Sequence, residues 1–312
     1  MANLNPTTTA TAGFQNAVAI YYDRLLLERL EAMLHFDEFG EKRKLPKSSG
    51  NQIRFTRYNN FAASTTPLTE GVIPDGEVLA STQIFTTPVE YGNYVTLSDF
   101  LIMESIDPVI KGALEVLSYQ AALSYDTIVR NALSGNFTNQ FGGAATSEAT
   151  VSAVMTANEI RRAVKSLKVA NVNPISDSYP SLIHPASSFD LQSETAVGAW
   201  LDVNKYTTTG PLYKGEIGKI YGSRIAESQN IKVDAGAGSG GVNIYRNWTF
   251  GHQAYGLVDL AGGNLKTYIK QLGTSGAFDP LDQLATVGYK FNLAVPVLDP
   301  VRAIEIYVAS NG

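Results

Sequence analysis

The sequence predicts an α+β fold in which a long helix lies between a hairpin-like segment and a strand-rich, mixed α/β region. Apolar residues at helical spacing from Asp107-Pro108 to about Leu133 predict the helix. The segment before it alternates as strands do at its two ends and has no period in its middle. Short strand-like stretches dominate the chain after Pro174.

The composition indicates a folded chain that associates with other chains. Its 312 residues are 44% hydrophobic, enough for a sizeable core, and only 17% charged. Few surface charges are typical of obligate oligomers, whose interfaces are more apolar than ordinary surface. The absence of cysteine excludes disulfides, thiolate metal sites and cysteine nucleophiles. Because we find no signal peptide and no apolar run long enough for a bilayer, we expect folding in a cytoplasm and no membrane contact.

The negative charge is concentrated in one segment. The net charge is −5, yet residues 1–50 and 111–312 each balance their acidic and basic groups. Residues 51–110 hold seven acidic groups and only two basic ones, Arg54 and Arg57. We interpret this segment as a projection that docks on a surface of opposite charge, although a solvated acidic surface would give the same pattern. An acidic chain is also a poor direct binder of nucleic acid, since phosphates are neutralised by clustered lysine and arginine.

The first fifty residues predict an arm, a helix and a connector. Residues 1–13 are polar and aperiodic, which is typical of a flexible arm. A helix with one apolar side is predicted from Gln15 to His35. Its apolar positions are Val18, Tyr22, Leu25, Leu26, Leu30 and Met33. The charged residues from Asp37 to Pro46 predict an irregular connector.

A hairpin with an unusually long loop is predicted next. Strand-like alternation covers Gln52 to Tyr58 and, again, Thr82 to Leu97. The residues between them, Asn59 to Ser81, contain prolines and glycines and show no period. A structureless loop of this length is unusual in a compact domain, and such loops are functional or are ordered by a partner. This loop is the main clue to the organisation of the chain.

Two helices are predicted after the loop. Asp107 as N-cap and Pro108 in the first turn begin the long helix, which ends at Ser134-Gly135. After a predicted loop from Asn136 to Thr150, Thr156-Ala-Asn-Glu159 matches a capping box and begins the second helix. That helix has a basic side made of Arg161, Arg162, Lys165 and Lys168. Such a face is usually only solvated, and contact with the acidic segment of a neighbouring molecule is the alternative.

The remaining chain predicts short strands with one helix among them. The helix is predicted at Phe189 to Thr195. The strands are predicted at Ser181 to Pro185, Ile217 to Ile225, Val242 to Phe250, Ala254 to Leu260, Leu265 to Leu272, Thr286 to Leu298 and Ala303 to Val308.

Motifs that carry chemistry are few. His35, His184 and His252 show no metal-ligand spacing. Gly236-Ala-Gly-Ser-Gly-Gly241 matches a dinucleotide fingerprint, but the next residues are strand-like, so no helix N-terminus would hold a pyrophosphate. We interpret it as a flexible hairpin connection. These observations favour a structural or binding role without cofactor or metal over catalysis, with a cytoplasmic nucleotide-binding enzyme as an alternative.

Several stretches carry a family resemblance that covers nearly the whole chain. They are Gly13-Phe-Gln-Asn-Ala with Tyr21-Tyr22, Gly50-Asn-Gln-Ile-Arg-Phe-Thr-Arg57, Leu68-Thr-Glu-Gly71, Asp126 with Arg130-Asn131, His184-Pro185, and Gly215-Glu-Ile-Gly-Lys-Ile-Tyr-Gly-Ser-Arg-Ile-Ala-Glu-Ser228. With the order of the elements, they resemble the Hong Kong 97-type capsid fold of tailed bacteriophages. In detail they are similar to the major capsid family of N-four-like podoviruses.

The resemblance implies four parts of the chain. Residues 1–47 would be an N-terminal arm with its helix, reaching over a neighbour, and residues 48–100 an extended loop across the adjacent subunit. Residues 101–172 with 284–312 would form a peripheral domain around the long helix, called the spine helix. Residues 173–283 would form the mixed α/β axial domain, which meets its copies at five-fold and six-fold vertices.

The resemblance also implies a function and partners. The chain would be a major capsid protein rather than an enzyme, assembled in the host bacterial cytoplasm into the icosahedral shell of a virion. Its partners would be further copies in hexamers and pentamers, a scaffolding protein, a portal protein and, in some shells, decoration proteins. The shell would enclose double-stranded DNA without sequence-specific binding. An encapsulin-like nanocompartment shell is the alternative with the same fold.

Two departures from the type member of the fold lead to expectations. No lysine lies between Lys47 and Lys111, so the loop offers no amine for a covalent cross-link and we expect a non-covalent shell. Only about fifty residues precede the loop, so we expect a separate scaffolding protein and no N-terminal processing beyond loss of Met1.

The inter-subunit contacts are predicted on the loop and on the second helix. The apolar candidates can bury their side chains only against another chain, and the acidic ones face basic partners. The candidates are Phe61, Leu68, Glu70, Val72, Ile73, Asp75, Glu77, Leu79, Arg161, Arg162 and Lys165.

Overall fold

Fourteen strands and four helices make up the described part of the chain. A computed structural model describes residues 35–46, 48, 50–104, 109–195, 216–260, 265–274 and 279–310, so all of the helix predicted from Gln15 except His35 lies outside it. The helices are α1 (Asp99–Glu104), α2 (Val109–Leu133), α3 (Ala157–Val169) and α4 (Pro185–Ser193). The strands are β1 (Glu41–Leu45), β2 (Ile53–Tyr58), β3 (Ser81–Thr86), β4 (Val89–Ser98), β5 (Thr138–Phe141), β6 (Tyr179–Ile183), β7 (Glu216–Ile220), β8 (Ser223–Glu227), β9 (Val233–Asp234), β10 (Ile244–Phe250), β11 (Gly256–Leu260), β12 (Lys266–Lys270), β13 (Leu284–Leu293) and β14 (Ala303–Val308).

The largest sheet has seven strands in the order β5-β14-β10-β6-β8-β7, with β9 paired to β10. Every residue of β6 and β14 is buried, which explains why these strands are nearly continuous apolar runs instead of alternating ones. One core cluster joins this sheet to α3 through Ile160, Leu167 and Ile304. Strands from the predicted peripheral and axial segments share this sheet, so the predicted boundaries at residues 172 and 283 do not separate sheets.

A second sheet, in the order β12-β13-β4, packs against the spine helix α2. Its central strand β13 alternates, because Val287, Tyr289 and Phe291 point into the core while the residues between them face outward. The spine helix contributes Leu114 and Leu117 to the same core. The predicted long helix is therefore confirmed in the described residues, with its end at Leu133 before the left-handed Gly135.

Several predicted elements are corrected by the strand pairing. The predicted connector contains β1, which pairs in parallel with β11, and the predicted loop after the spine helix contains β5, which pairs in parallel with β14. Ile217 to Ile225 is two strands, because Tyr221 and Gly222 both have positive φ and form a tight turn between β7 and β8. Thr82 to Leu97 is likewise two strands: β3 pairs with β2, whereas β4 pairs with β13.

The predicted capping box of α3 is wrong. Thr156 is the N-cap residue, but its side chain makes no capping hydrogen bond. The buried Glu159 carboxylate instead accepts from Gln140 Nε2 at 2.9 Å and from Arg162 Nη1 at 2.7 Å. Glu194 fills the capping role, since its Oε2 accepts from the Ala157 N–H at 2.8 Å. A buried glutamate needs such partners, which a local sequence pattern does not reveal.

A buried ionic cluster joins the end of the spine helix to the seven-stranded sheet. Glu305 is fully buried and accepts from the Gly135 N–H at 2.8 Å. Arg246 lies 3.6 Å from Glu305, forms ion pairs with Asp234 and Glu148, and donates to Ser134 Oγ at 3.2 Å. Burial raises the pKa of Glu305 above its usual range, and burial also raises that of Glu148.

A second buried carboxylate fixes the start of the described chain. Asp126 of the spine helix is 2% exposed, and its Oδ1 accepts from the backbone N–H of His35 at 3.3 Å and of Phe36 at 3.2 Å. Its Oδ2 accepts from Asn230 Nδ2 at 2.8 Å. Phe36 packs edge-on against Trp248, with ring centres 5.4 Å apart. Asp126 therefore joins three separate parts of the chain.

Candidate inter-subunit surface

In the described residues, the β2–β3 hairpin contacts the body of the subunit through its paired strands. Gly256 of β11 lies under the Phe55 ring: a Cβ there would be 3.1 Å from Phe55 Cζ. Arg57 forms an ion pair with Asp299, whose Oδ2 also lies 3.2 Å from Arg302 Nε. The paired strands end at Tyr58 and Ser81, and the chain between them extends away from these contacts.

The loop beyond this hairpin has no core of its own. Every residue from 58 to 83 is exposed. Asn59 N–H donates to the Ala80 carbonyl at 2.9 Å and closes the base, and one turn is closed by Val72 N–H donating to Thr69 O at 3.2 Å. No helix or strand forms from residue 59 to residue 80, as the sequence predicted. An ordered segment of this size must offset its conformational entropy with contacts, and the subunit itself supplies few.

The predicted apolar contact residues of the loop all lie on its surface. Phe61, Leu68, Val72, Ile73 and Leu79 are exposed, and Ile73 reaches 92%. Contiguous exposed apolar groups of this kind mark interaction surfaces in soluble proteins. Three further exposed apolar residues of the hairpin and its loop, Tyr58, Val78 and Phe85, were not predicted as contacts. Val78, 88% exposed and next to Leu79, carried the same signal and could have been included.

The predicted acidic contact residues surround these apolar groups. Glu70, Asp75 and Glu77 are exposed, and no ion pair in the described ranges involves any of them. The loop therefore presents a surface that is both apolar and negative. A complementary surface would combine aromatic or aliphatic groups with unpaired lysine or arginine.

The basic face of α3 is only partly available for such a contact. Arg161 and Lys165 are exposed, and Arg161 lies over the Tyr221 ring at 5.6 Å. Arg162 is half-buried and forms an ion pair with Glu159. Its Nη1 also donates to the Gly143 carbonyl at 3.0 Å. The structure thus separates Arg162 from the other two candidates. Whether Arg161 and Lys165 contact another chain stays a prediction.

A basic aromatic face that the sequence analysis missed lies on the outside of the β12-β13-β4 sheet. Gly288 lies between Tyr94 and Tyr268 in adjacent strands, above a shallow cleft of about 730 Å³. Lys266 and Lys270 flank Tyr268 on the same side, and no ion pair among the described residues involves either lysine. Lys290 on this face is paired with Glu90 at 2.7 Å. The alternation in Lys266-Thr-Tyr-Ile-Lys270 was the available signal, because alternate residues of a strand, here Lys266, Tyr268 and Lys270, face the same side.

The glycine-rich segment and His184, which the sequence offered as possible sites of chemistry, have structural roles. Gly236 to Gly241 connects β9 to β10, so no helix follows the glycines, and the predicted hairpin connection is confirmed. His184 is the N-cap of α4, and its Nδ1 accepts from the Ala186 N–H at 3.1 Å. The described part of the chain contains no group of three potential metal ligands among His, Cys, Asp and Glu. No described helix is both long and apolar enough to cross a bilayer.

Replacing Gly256 with valine is expected to loosen the hairpin from the body. The added methyl groups would occupy the space of the Phe55 ring, and overpacking of this kind costs roughly 1–3 kcal/mol. We expect cleavage by trypsin after Arg54 and Arg57 to accelerate severalfold. The matched control is Gly76→Val, since nothing lies within 4 Å of a Cβ built there. Equal cleavage rates in both variants would show that the Phe55 contact does not hold the hairpin.

Three solved structures with a similar fold are phage capsids. The chain is similar to the capsid of Ralstonia phage GP4 with a TM-score of 0.70, 16% identity, and coverage of 90% of this chain and 92% of that chain. It is similar to the capsid of Cyanophage Pam1 with a TM-score of 0.67, 14% identity and coverage of 85% and 87%. For the Helicobacter pylori bacteriophage KHP30 capsid the TM-score is 0.65, with 15% identity and coverage of 86% and 87%. No protein-family model and no curated protein sequence matches the chain.

These similarities confirm the predicted fold class. The chain has the Hong Kong 97-type capsid fold, with an extended loop hairpin, a spine helix and a mixed sheet region in the described residues. At identities of 14–16%, the similarity concerns the fold. A functional assignment must therefore come from the surfaces described above.

Proposed function

We propose that the chain is the major capsid protein of a tailed bacteriophage, which assembles into the icosahedral shell around double-stranded DNA. The observation that carries this proposal is the coreless loop from residue 59 to residue 80, with exposed Ile73, Leu68 and Val78 at its surface. A loop without a core can bury these groups only against another chain, and in this proposal that chain is a sister subunit. Membership of the N-four-like podovirus capsid family is part of the proposal and rests on the sequence resemblance.

The proposal includes the arrangement of the subunit in the shell. We assign residues 101–172 and 284–312 to the peripheral domain and 173–283 to the axial domain, with the seven-stranded sheet contributing to both. Copies would form hexamers and pentamers, and a separate scaffolding protein, a portal protein and decoration proteins would be the other partners. With no lysine between Lys47 and Lys111, the contacts of the loop would be non-covalent.

The receiving surface for the loop, in this proposal, is the outer face of the β12-β13-β4 sheet of a second copy. The loop carries Glu70, Asp75 and Glu77 among apolar groups. The sheet face offers the unpaired Lys266 and Lys270 beside two tyrosines and a glycine floor. Apolar packing would supply the association energy, while the charges would select the register. The basic side of α3 is the competing receiver.

The loop is tested by its effect on assembly. Replacing Val72 and Ile73 together with aspartate is expected to abolish shell formation, because burial of two unpaired charges would oppose the contact. Shells would be counted by negative-stain microscopy of the protein with and without its candidate scaffolding protein. The matched control is Phe189→Asp, an exposed apolar residue on α4, away from both candidate receiving surfaces, which should assemble. Normal shells from the double variant would contradict the proposed role of the loop.

A charge exchange distinguishes the two receiving surfaces. Lys266→Glu with Lys270→Glu should reduce assembly by at least tenfold, and Glu70→Lys with Glu77→Lys on the same chain should restore it. Arg161→Glu with Lys165→Glu should leave assembly unchanged. The contact would instead be with α3 if the two loop substitutions restored assembly of the Arg161→Glu, Lys165→Glu variant and failed to restore assembly of the sheet variant.

A further inference from the structure

One face of the spine helix is apolar and uncovered in the described structure. Val116, Tyr119 and Leu123 are exposed, while Leu114, Leu117 and Ala121 on the opposite side are buried in the core. With the exposed Gly112, the three residues follow the spacing 4, 3, 4, which places them along one line of the helix. We call Gly112, Val116, Tyr119 and Leu123 the spine stripe. A line of this kind is what a second helix packs against.

The start of the described chain lies beside one end of the spine stripe. Asp126, which accepts from the backbone of His35 and Phe36, follows Leu123 by three residues, about one helical turn. The point at which the preceding segment joins the described structure therefore lies at the Asp126 end of the spine helix.

The segment before His35 has the pattern and the length to cover the spine stripe. Its residues Val18, Tyr22, Leu25 and Met33, with Leu26 and Leu30 between the last two, repeat at the spacing of a helix face. As a helix, the stretch from Val18 to Met33 would measure about 22 Å, and the spine stripe from Gly112 to Leu123 measures about 16 Å at the same rise per residue. The segment is therefore long enough to cover the whole stripe.

We propose that residues 15–34 pack along the spine stripe of their own subunit, parallel to the spine helix, so that the expected reach over a neighbour would be made by residues 1–13 and not by the helix. In this arrangement Met33 lies near Leu123, Leu26 lies near Val116 and Tyr119, and residue 15 lies toward the Val109 end. Residues 1–13 would then leave the subunit at the Val109 end. This contact does not depend on the proposed capsid function, because both surfaces belong to one chain.

Disulfide formation tests the contact directly, since the chain has no cysteine of its own. Leu26→Cys is combined in turn with Val116→Cys, Tyr119→Cys and Leu123→Cys, and the full-length proteins are oxidised mildly. We expect at least one pair, with Val116 or Tyr119, to give a monomer whose mobility on a denaturing gel shifts and is restored by reductant. Cysteine pairs must approach within about 7 Å between Cα atoms to form such a bond. Leu26→Cys with Val169→Cys on α3 is the control and should stay reduced.

Each other outcome overturns the proposal. A dimer band would place the segment of a second copy on the stripe, and absence of a disulfide in all three pairs would leave the stripe to a different protein. Because cysteine variants can fold poorly, Tyr119→Asp provides a second measurement. It should release the segment and accelerate tryptic cleavage after Arg24 and Arg29 severalfold, and an unchanged rate would also contradict the contact. Shell formation, scored separately, distinguishes failure of this contact from failure of the proposed function.

Discussion

Replacing Arg246 with alanine is expected to lower the free energy of unfolding of the subunit by about 3–5 kcal/mol. The Arg246 side chain is 13% exposed and is surrounded by three carboxylates, those of Glu148, Asp234 and Glu305. Its removal would leave these charges in a poorly solvated site, and breaking a buried pair from one side costs more than the pair contributes. It would also remove the hydrogen bond that Arg246 donates to Ser134 Oγ at the end of the spine helix.

Urea unfolding of the unassembled subunit, followed by circular dichroism, measures this effect. The matched control is Arg43→Ala, which removes a surface pair with Glu41 at 2.9 Å and should cost below about 1 kcal/mol. Equal midpoints for the two variants would contradict a stabilising role of the cluster.

Glu305→Gln separates the charge of the cluster from its hydrogen bond. The amide can still accept from the Gly135 N–H, so the fold should persist. Because burial raises the pKa of Glu305, the folded chain keeps a proton that the unfolded chain has lost, and this contribution to stability is present below pH 4.5 and lost as pH rises. The variant should weaken the dependence of the free energy of unfolding on pH. It should not remove it, since Glu148, beside Arg246, Asp234 and Lys232, titrates in the same direction.

The parts of the fold that the sequence predicted are those with a local cause. The spine helix has continuous helical spacing and a glycine stop, and β2 and β3 alternate and pair with each other at the two ends of one long loop. By contrast, β1 carries mostly charged residues and is a strand because β11 offers its backbone a partner. The same holds for β5, four residues that complete the edge beside β14. Pairing between distant segments decides such strands, and no local pattern encodes it.

The residues of the candidate inter-subunit surface also differ in whether a local sequence pattern predicts them. The loop was predictable because its lack of period and its apolar residues are both local features. The basic aromatic face was not, because Tyr94 and Tyr268 come from strands far apart in sequence and meet only across Gly288. The ion pair of Arg162 was not predictable for a related reason, since its partner Glu159 is buried beside Gln140, which lies on a separate strand. Surface availability depends on tertiary neighbours.

Replacing Asp126 with alanine is the second change with a large expected effect, about 3–5 kcal/mol of unfolding free energy. Three donors would lose their acceptor in a buried site, the N–H groups of His35 and Phe36 and the Asn230 amide, and each unsatisfied donor costs roughly 1–3 kcal/mol. Asp75→Ala, the loss of an exposed loop carboxylate, is the matched control and should leave the unfolding midpoint unchanged.

Asp126→Asn separates the backbone bonds from the bond to Asn230. Its amide oxygen can still accept from His35 and Phe36, but its Nδ2 would face the Asn230 Nδ2, which cannot turn without giving up the Arg130 Nη1 bond at 2.9 Å. The cost should therefore fall between those of the control and of alanine. In the alanine variant the backbone of His35 and Phe36 loses its two hydrogen bonds to Asp126, which would loosen the segment before them, so tryptic cleavage after Arg29 should accelerate before global unfolding. If that cleavage stays slow while the midpoint falls, Asp126 serves the core around Asn230, and the backbone at His35 and Phe36 is held by other contacts.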